Sequence, residues 1–422
     1  MRVLMLSWEY PPVVYGGLGR HVHALTEAMV VAGHQVSVVT QQADGEPLRE
    51  TVAGVDLIRV PQDPPYVPLD DILAWTMGFN HALARTALRL TGELRPEVVH
   101  AHDWLAGHAG ATLRDALRIP LVATVHATEA GRQQGWLRNP VSKSVHSVEW
   151  WLTYQARRVI TCSSHMRAEI GALFNLPAGK VDVIPNGIDL VRWRVDRVAA
   201  EALRDRYASG PDAPLLVYTG RLEWEKGLHT LVRAVPRLRR RYPGLRLVVA
   251  GRGSKEDELR ALARSLRVSR AITFVGWLEP EELAALAAAA DCAIVPSIYE
   301  PFGIVALEAT ASGTPLVVAD TGGLREIVEH GVTGLRFEPG DVTGLARAVG
   351  SVLSDEVLAH RLVRDARAVL DANYRWTTIA ERTVAVYRRA VVEDTAVRAG
   401  MRVLDEPAMP ERLVVGDDNV FA

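Results

Sequence analysis

Two glutamates close together in sequence are the first candidates for chemistry in this chain. Glu300 lies in the stretch SIYEPFGIVALEA just before a predicted helix, and Glu308 lies within that helix. The amino end of a helix presents free N–H groups and a partial positive charge. Carboxylates accept hydrogen bonds from vicinal hydroxyl groups. With the backbone amides around Phe302 and Gly303, the two glutamates indicate a polar ligand that carries hydroxyl groups.

A structural alternative places Glu308 on the surface and leaves Glu300 to balance the charge of the helix end. The neighbours of Glu308 are apolar (Ile304, Val305 and Leu307), so the helix is predicted to be largely buried. A buried carboxylate without a partner is costly, and this cost favours the ligand hypothesis.

Two cations precede another predicted helix, in the stretch YTGRLEWEKG. Arg221 and Lys226 flank a turn, and Gly227 opens the helix. Two positive side chains beside free helix N–H groups suit a diphosphate. The alternative is a solvated ion pair with Glu223 or Glu225, which would contribute little to stability.

A glycine-rich loop follows the first predicted strand, in the stretch YPPVVYGGLGRH. Gly16, Gly17 and Gly19 allow a ligand to approach the backbone at the start of a helix, as phosphate groups do. The spacing is not G-x-G-x-x-G, which disfavours a nicotinamide dinucleotide. A flexible turn without a ligand is the alternative.

Polar residues also end two later strands, in HAHDW and VHATEAGR. Asp103 is either the N-cap of the next helix or a sugar contact, and the residues alone leave both open. His126 is at the carboxyl end of its predicted strand. Ligands of open α/β sheets bind at the carboxyl ends of the strands, so a functional role is favoured for His126 over a structural one.

The elements that position these residues alternate along the whole chain. Short β-branched runs between helical patterns predict buried parallel strands. The predicted strands cover 3–7, 35–40, 55–60, 98–102, 121–126, 159–163, 181–185, 215–220, 245–250, 272–276, 292–296 and 315–319. Two such series in tandem predict an α/β protein with two doubly wound, Rossmann-like domains, divided within 189–214.

Composition narrows the class of protein further. A chain of 422 residues suits two domains. With 48 basic and 50 acidic residues, the chain is not a general nucleic-acid binder. The two cysteines are far apart, which excludes a disulfide framework and fits a reducing compartment. The first residues are typical of a strand rather than a signal peptide, and no apolar run is long enough to cross a bilayer. A cytoplasmic location is therefore expected.

Taken together, these motifs resemble the retaining glycosyltransferases of family 4, which have the two-domain GT-B fold and include glycogen synthase-like enzymes. The similarity covers nearly the whole chain. It rests on GGLG, HDW, VHATE, IPNGID, GRLEWEKG, EPFGIVALEA and SGTPLVVADTGGLREIV. The stretches SWEYPPVV and HATEAGR are also similar to actinobacterial members that extend α-1,4-glucans in glycogen and methylglucose lipopolysaccharide synthesis.

The resemblance implies a role for each candidate residue. Arg221 and Lys226 would neutralise the leaving diphosphate, and Glu308 would hold the ribose hydroxyls. Glu300, with the amides of Phe302 and Gly303, would bind the transferred sugar. His126 and Asp103 would contact that sugar near its reacting face. Gly17 would approach the donor phosphates.

The resemblance also implies a reaction. The sugar would keep its anomeric configuration by a front-face route, in which the leaving phosphate takes the proton of the acceptor. No residue need be a covalent nucleophile, and catalysis would consist of charge stabilisation and positioning. The chain has no Asp-x-Asp pair, so the cationic side chains would replace a metal. No cofactor and no metal are expected.

The family implies a domain plan as well. Residues 1–195 would form the acceptor domain and 196–373 the donor domain, the two facing a cleft. A helix over 374–391 would cross back to the first domain, and 393–422 would be a flexible tail or a contact arm.

The expected function is transfer of glucose from UDP-glucose or ADP-glucose to an α-1,4-glucan oligosaccharide. The Lys-x-Gly-Gly motif of starch-type synthases is replaced here by VVYGGLG, so the donor base stays open. No nucleic-acid partner is expected, membrane contact is at most peripheral, and the sequence leaves the oligomeric state open.

Two other functions compete with this one. A mannosyltransferase with a lipid acceptor could use Trp150, Trp151 and Tyr154, beside Arg157 and Arg158, as an interfacial face, although burial is the default for such aromatic residues. A non-catalytic protein that binds sugar nucleotides is the other alternative. It has no evident need for both glutamates and both cations.

Overall fold

The computed structural model describes residues 1–61, 71–191, 193 and 195–400. In it, the chain divides into two compact units. The first is Met1–Gly187 together with the segment that begins at Trp376, and the second is Ile188–Arg375. The first divide falls at 187, eight residues before the predicted boundary at 195 and just before the predicted linker 189–214, and the second falls at 375, two residues after the predicted 373. Composition marks a linker but not the residue at which packing changes.

The first unit is built on a sheet of eight strands within the described residues. In chain order, the strands are β1 (Arg2–Leu6), β2 (Gln35–Gln41), β3 (Arg49–Val52), β4 (Val55–Val60), β5 (Val98–His102), β6 (Leu121–Val125), β7 (Arg158–Thr161) and β8 (Val181–Val183). Their spatial order is β3-β4-β2-β1-β5-β6-β7-β8. All neighbours are parallel except β3 and β4. The sequence missed β3 because RETV is polar and none of its residues is buried.

The helices of the first unit cover this sheet. They are α1 (Gly17–Val31), α2 (Ile72–Leu94), α3 (Gly107–Leu117), α4 (Glu129–Arg132), α5 (Pro140–Gln155) and α6 (Ser164–Phe174). The apolar spacing of α1 buries Leu18, Val22 and Leu25, as its periodicity predicts. The start of α5 is fixed by Asn139, whose side chain accepts a hydrogen bond from the backbone of Ser142.

The second unit repeats the plan with a wholly parallel sheet. Its strands are β9 (Leu215–Thr219), β10 (Arg246–Ala250), β11 (Ile272–Gly276), β12 (Cys292–Val295), β13 (Leu316–Ala319) and β14 (Leu335–Phe337). Their spatial order is β11-β10-β9-β12-β13-β14, and every neighbouring pair is parallel. The sequence missed β14 because it has three residues and a polar one, Arg336, at its centre.

The helices of the second unit are α7 (Arg197–Tyr207), α8 (Leu228–Arg241), α9 (Glu256–Ser265), α10 (Pro280–Ala289), α11 (Ile304–Ala311), α12 (Leu324–Ile327), α13 (Val342–Ser354) and α14 (Glu356–Asn373). The strands β9 to β13 are mainly apolar, and Leu216, Val249 and Ile294 are fully buried in the core. This apolar character explains why the sequence located these five strands to within two residues at each end.

The chain returns to the first unit through α15 (Trp376–Arg398). Val384 and Tyr387 of this helix are buried in the first core. The helix continues to Arg398, so its predicted end at 391 is wrong. Glu393 forms an ion pair with Arg158, which agrees with the contact arm rather than the flexible tail for these first residues. The rest of the predicted tail, 401–422, lies outside the described residues.

The residues proposed for an interfacial face pack against the protein instead. Trp151 stacks on His108 with ring centroids 4.5 Å apart. Trp150 stacks on Tyr154 at 6.3 Å, and all three aromatic residues are partly buried. No helix in the described parts of the chain has an apolar stretch long enough to cross a bilayer.

Candidate functional site

The glycine loop of the first unit is built around a buried carboxylate that sequence reasoning missed. Glu9 Oε2 accepts hydrogen bonds from the N–H groups of Tyr15 at 2.9 Å, Gly16 at 3.0 Å and Gly19 at 3.4 Å. A Cβ at position 19 would lie 3.0 Å from that of Glu9, so the loop packs tightly against the carboxylate at this glycine. Gly17 is the first residue of α1 and is not one of these three donors.

Two opposing effects act on the pKa of the buried Glu9 carboxyl group. Burial raises the pKa of Glu9, while the three backbone N–H groups oppose that shift. The sequence predicts that the backbone N–H groups of the glycine loop bind a phosphate, but some of them donate to the Glu9 carboxyl group instead. The signal that could have revealed it is an acidic residue placed between the first strand and the glycines, in SWEYPP.

Asp103 and His126 meet because β5 and β6 are parallel neighbours whose carboxyl ends lie at one edge. The carboxylate of Asp103 accepts a hydrogen bond of 2.7 Å from the backbone N–H of His126. Asp103 precedes the 3-10 turn Trp104–Ala106, but its side chain makes no capping hydrogen bond. The capping alternative is therefore wrong, because the carboxylate turns to the next strand instead.

The backbone of Asp103 is strained. It has φ +56° and ψ 176°, a combination that a residue other than glycine adopts at a cost of about 1–3 kcal/mol. Burial raises the pKa of Asp103 to about 6, against the opposing charge of Arg132. Strain and a costly buried charge at one residue make Asp103 a candidate functional position.

Four histidines of the first unit lie together behind this edge. The hydrogen bonds of the cluster are His21 Nδ1 to Asn186 Oδ1 at 2.6 Å, His100 Nε2 to Thr124 Oγ1 at 2.7 Å, His100 Nδ1 to the Tyr387 hydroxyl at 2.6 Å, and His102 Nδ1 to His126 Nε2 at 3.0 Å. Burial lowers the pKa of His126 to about 3, with the charge of Arg132 adding to the shift. Burial also lowers the pKa of the other three well below the usual value. All four rings are therefore neutral near pH 7.

The surroundings of His102 indicate which of the two rings donates in the hydrogen bond between His102 and His126. His102 Nε2 is buried and has no partner among the described residues. An unpaired buried N–H group is the rarer and costlier state, so the proton of His102 is on Nδ1. His102 Nδ1–H then donates to His126 Nε2, and His126 carries its own proton on Nδ1. That N–H group is the one His126 can offer to an oxygen atom of a ligand.

Three of these rings also have the spacing of a metal site. One nitrogen of each of His21, His102 and His126 lies within 4.8 Å of the others, and neutral imidazole is the form that binds metals. Hydrogen bonds already occupy His21 Nδ1 and join His102 to His126. The expectation that the reaction needs no metal stays a prediction. If it is wrong, these three histidines are the candidate metal ligands.

In the second unit, Lys226 and Glu300 form an ion pair, with Lys226 Nζ 2.9 Å from Glu300 Oε2. The hydroxyl of Ser297 also bonds to Glu300 Oε2, at 3.0 Å. The two side chains are only 18% and 12% exposed. Gly227 follows with φ +66°, and a Cβ there would lie 1.9 Å from the carbonyl oxygen of Pro296. The loop after β9 therefore packs against the end of β12, which brings the predicted cation and the predicted sugar-binding carboxylate together.

Arg221 has a different environment from Lys226. Its side chain is 50% exposed and lies 3.1 Å from Glu225. The solvated ion pair that the sequence offers as an alternative is thus present for Arg221. An exposed pair of this kind contributes about 0–1 kcal/mol, so it does not prevent the guanidinium from binding an anion.

Glu308 is buried, as its apolar neighbours predict, and it is 3% exposed. Its helix α11 begins after Gly303, which has φ +110°, two residues later than the predicted start at Phe302. A small cavity beside Glu308 is lined by Trp193, Thr219 and Val305. The two glutamates thus differ sharply: Glu300 faces a cation before the helix, and Glu308 lies inside the unit beside a cavity.

Two family models match the chain over consecutive parts. The model described as Glycosyltransferase Family 4 matches residues 15–192, and the model described as Glycosyl transferases group 1 matches residues 200–369. These two ranges cover most of the first and second units, respectively. The candidate residues of both units lie within them.

Individual proteins match over nearly the full chain. Glycogen synthase of Mycobacterium tuberculosis is 46% identical over 424 residues, which span 98% of this chain and 100% of that protein. An uncharacterized glycosyltransferase of Methanocaldococcus jannaschii is 37% identical, over 93% of this chain and 99% of that one. Among solved structures, sucrose-phosphate synthase of Thermosynechococcus elongatus has a TM-score of 0.80 and 26% identity, over 92% of this chain and 99% of that chain. The similarity therefore includes both units.

Proposed function

We propose a glucosyl transfer reaction for this chain, which belongs to the hexosyltransferases of glycosyltransferase family 4 and has the GT-B fold. Glucose would move from UDP-glucose or ADP-glucose to an α-1,4-glucan oligosaccharide, with retention of its anomeric configuration. The observation that carries this proposal is the 46% identity to a glycogen synthase over 98% of the chain.

The second unit holds the nucleotide diphosphate in this proposal. Lys226 neutralises the leaving diphosphate and exchanges its contact with Glu300 for one with the phosphates. Arg221, already half exposed, adds a second cation with the geometry to bind two phosphate oxygens. Both charges then act most strongly as negative charge develops on the leaving group.

The two glutamates divide the rest of the donor between them. Glu308 accepts hydrogen bonds from the ribose hydroxyls, as the resemblance to the family implies. Glu300 binds the transferred glucose together with the amides around Phe302 and Gly303, just before α11. The exchange of Lys226 from Glu300 to the diphosphate frees this carboxylate for the sugar hydroxyls.

The first unit supplies the groups that contact the glucose near its reacting carbon. Asp103 accepts hydrogen bonds from sugar hydroxyls, and His126 donates through Nδ1–H. Gly17 lets the donor phosphates approach the backbone. The acceptor hydroxyl gives its proton to the leaving phosphate, so no side chain forms a covalent intermediate and positioning carries the catalysis. Arg221 and Lys226 take the part that a metal ion plays elsewhere.

We propose a cytoplasmic location as well, in accord with two buried cysteines that are not joined by a disulfide. Of the competing functions, the non-catalytic binding protein is disfavoured by membership in a family of transferases. The mannosyltransferase with a lipid acceptor loses its support, because the aromatic residues it would use are packed against the unit.

The test is product analysis with separate donors. The protein is incubated with UDP-glucose, ADP-glucose or GDP-mannose, and with maltoheptaose or a lipid-linked acceptor. Longer oligosaccharides with a new α-1,4 linkage, made from a glucose donor and lost in the Lys226→Ala variant, are expected. Transfer only from GDP-mannose, or only to the lipid acceptor, would overturn the proposal.

A further inference from the structure

A series of stacked aromatic rings runs from the solvent into the first unit beside the glycine loop. The ring of Tyr15 lies on that of Trp8, with centroids 5.0 Å apart and planes 12° apart. Trp8 meets Trp75 edge to face at 6.1 Å, and Trp75 stacks on Phe79 at 5.0 Å. Trp75 and Phe79 are buried, whereas Tyr15 is 52% exposed. This aromatic series therefore presents one ring to solvent and supports it from behind.

The outer ring is held in place at its backbone too. The N–H group of Tyr15 donates to Glu9 Oε2 at 2.9 Å, and the carbonyl oxygen of Trp8 accepts a hydrogen bond from Gln41 Nε2 at 2.7 Å. A rigid aromatic ring loses little conformational entropy when a ligand covers it. Tyr15 is thus a preorganised flat surface rather than a mobile side chain.

The position of this surface relates it to the sugar-contacting residues. Tyr15 stands just before Gly16, the N-cap of α1. The same helix carries His21, whose ring centroid is 4.8 Å from that of His126. The exposed ring and the proposed sugar contact thus belong to one edge of the first unit, where Glu9 also lies close enough to Asp103 for their charges to interact.

We propose that Tyr15, backed by Trp8, is a stacking surface for a glucose unit of the acceptor glucan. This inference rests on the proposed function and adds a specificity-determining residue to it. A pyranose ring has a flat face of C–H groups that packs on an aromatic ring. The neutral ring suits an uncharged glucan.

Another exposed aromatic residue of the same unit supplies the control. Trp136 is 44% exposed, but the guanidinium of Arg138 lies over its ring, 5.1 Å from the centroid. A cation covers the face that a sugar would need. The Trp136→Ala variant therefore removes a comparable exposed ring without removing the proposed surface.

The experiment measures glucan binding apart from transfer. Maltoheptaose is titrated calorimetrically into the full-length protein, without a donor, and the KM values for glucan and for donor are measured alongside. Tyr15→Ala is expected to weaken maltoheptaose binding and to raise the glucan KM by about tenfold or more, which corresponds to about 1.4 kcal/mol. Tyr15→Phe, which keeps the ring, and Trp136→Ala are expected to match the wild type. The donor KM should not change in any variant.

The outcomes separate this inference from the proposed function. Wild-type affinity for maltoheptaose in Tyr15→Ala and in the polar variant Tyr15→Gln would overturn the stacking surface and leave glucosyl transfer standing. A selective loss of UDP or ADP binding in these variants would also overturn it and assign the ring to the nucleotide base. If the wild type binds no maltoheptaose, the surface is again rejected, and only the product analysis decides whether the proposed function fails with it.

Discussion

Lys226 Nζ lies 2.9 Å from Glu300 Oε2 in the second unit, so two side chains assigned to different parts of the donor form an ion pair with each other. The ammonium is the proposed partner of the diphosphate, and the carboxylate is the proposed partner of the sugar. The proposed function therefore has Lys226 exchange its contact with Glu300 for one with the diphosphate. The ion pair compensates two charges of low exposure, and an unpaired charge in such a place is costly.

This exchange predicts opposite effects for the two members of the pair. Lys226→Ala should weaken UDP and ADP binding and lower kcat by about 100- to 1,000-fold, as expected for a lost transition-state donor. Glu300→Gln should bind free UDP or ADP at least as tightly as the wild type, because it leaves Lys226 without a competing anion, yet it should impair transfer. Calorimetric titration of both variants is the measurement. Markedly weaker nucleotide binding in Glu300→Gln would show that the glutamate holds the nucleotide itself.

The variant Glu308→Gln should have the opposite effect on nucleotide binding to Glu300→Gln, although both residues lie in the same segment. Because its proposed partner is the ribose, Glu308→Gln should weaken binding of free UDP and ADP by about 10- to 100-fold, the range for a hydrogen bond to a charged group. Thermal unfolding of the variant controls for loss of structure at this buried position. Unchanged nucleotide affinity in a folded variant would place the ribose elsewhere.

The sequence predicts positions at strand ends well, and the reason is visible in Asp103 and His126. Each of the two residues comes directly after a short buried strand, at the carboxyl end where open α/β sheets bind their ligands. Since β5 and β6 are parallel neighbours, these residues come together. The position at a strand end does not predict the hydrogen-bond partner of a side chain. The sequence therefore left the capping alternative for Asp103 open, and the structure shows a hydrogen bond to the backbone of His126 instead.

The Lys226–Glu300 pair could not be predicted from the sequence. The two residues are 74 positions apart, and they meet because β12 lies beside β9 in the sheet. Strand order depends on the packing of the whole unit rather than on any local pattern. The contact of Glu9 with the glycine loop was missed for a related reason, since a carboxylate that accepts from backbone N–H groups leaves no periodicity in the sequence.

We predict that the transfer reaction does not need a metal ion. The test matters because His21, His102 and His126 have the spacing of a metal site. Transfer should persist in excess chelator, because Arg221 and Lys226 supply the positive charge. A protein freed of metal should also retain its thermal stability, since the four imidazoles are already hydrogen-bonded to protein groups. Complete loss of activity in chelator, with restoration by a divalent ion, would reject the mechanism. If that restoration disappeared in His21→Ala, the cluster of His21, His102 and His126 would be the metal site.

Asp103 predicts an unusual dependence of stability on pH. Its pKa in the folded protein is about 6, above the ordinary value of 3.8, so the folded state binds the proton more readily than the unfolded state. Ionised Asp103 therefore destabilises the fold at neutral pH, and this cost disappears as the pH falls through 6 towards 4. A shift of this size corresponds to about 3 kcal/mol at pH 7 and above.

Asp103→Asn removes the charge and keeps an oxygen for the N–H group of His126, and asparagine tolerates a positive φ at least as well as aspartate does. The variant should unfold at a higher temperature than the wild type at pH 8, and the difference should shrink to near zero by about pH 4. Transfer should nevertheless fall, because a neutral amide accepts less strongly from sugar hydroxyls than a carboxylate does. Asp115→Asn is a control on an exposed carboxylate, whose pKa is lowered by Arg114, and it should not gain stability at pH 8. A gain for Asp103→Asn that is the same at pH 4 and pH 8 would show that relief of strain, rather than loss of the buried charge, is its cause.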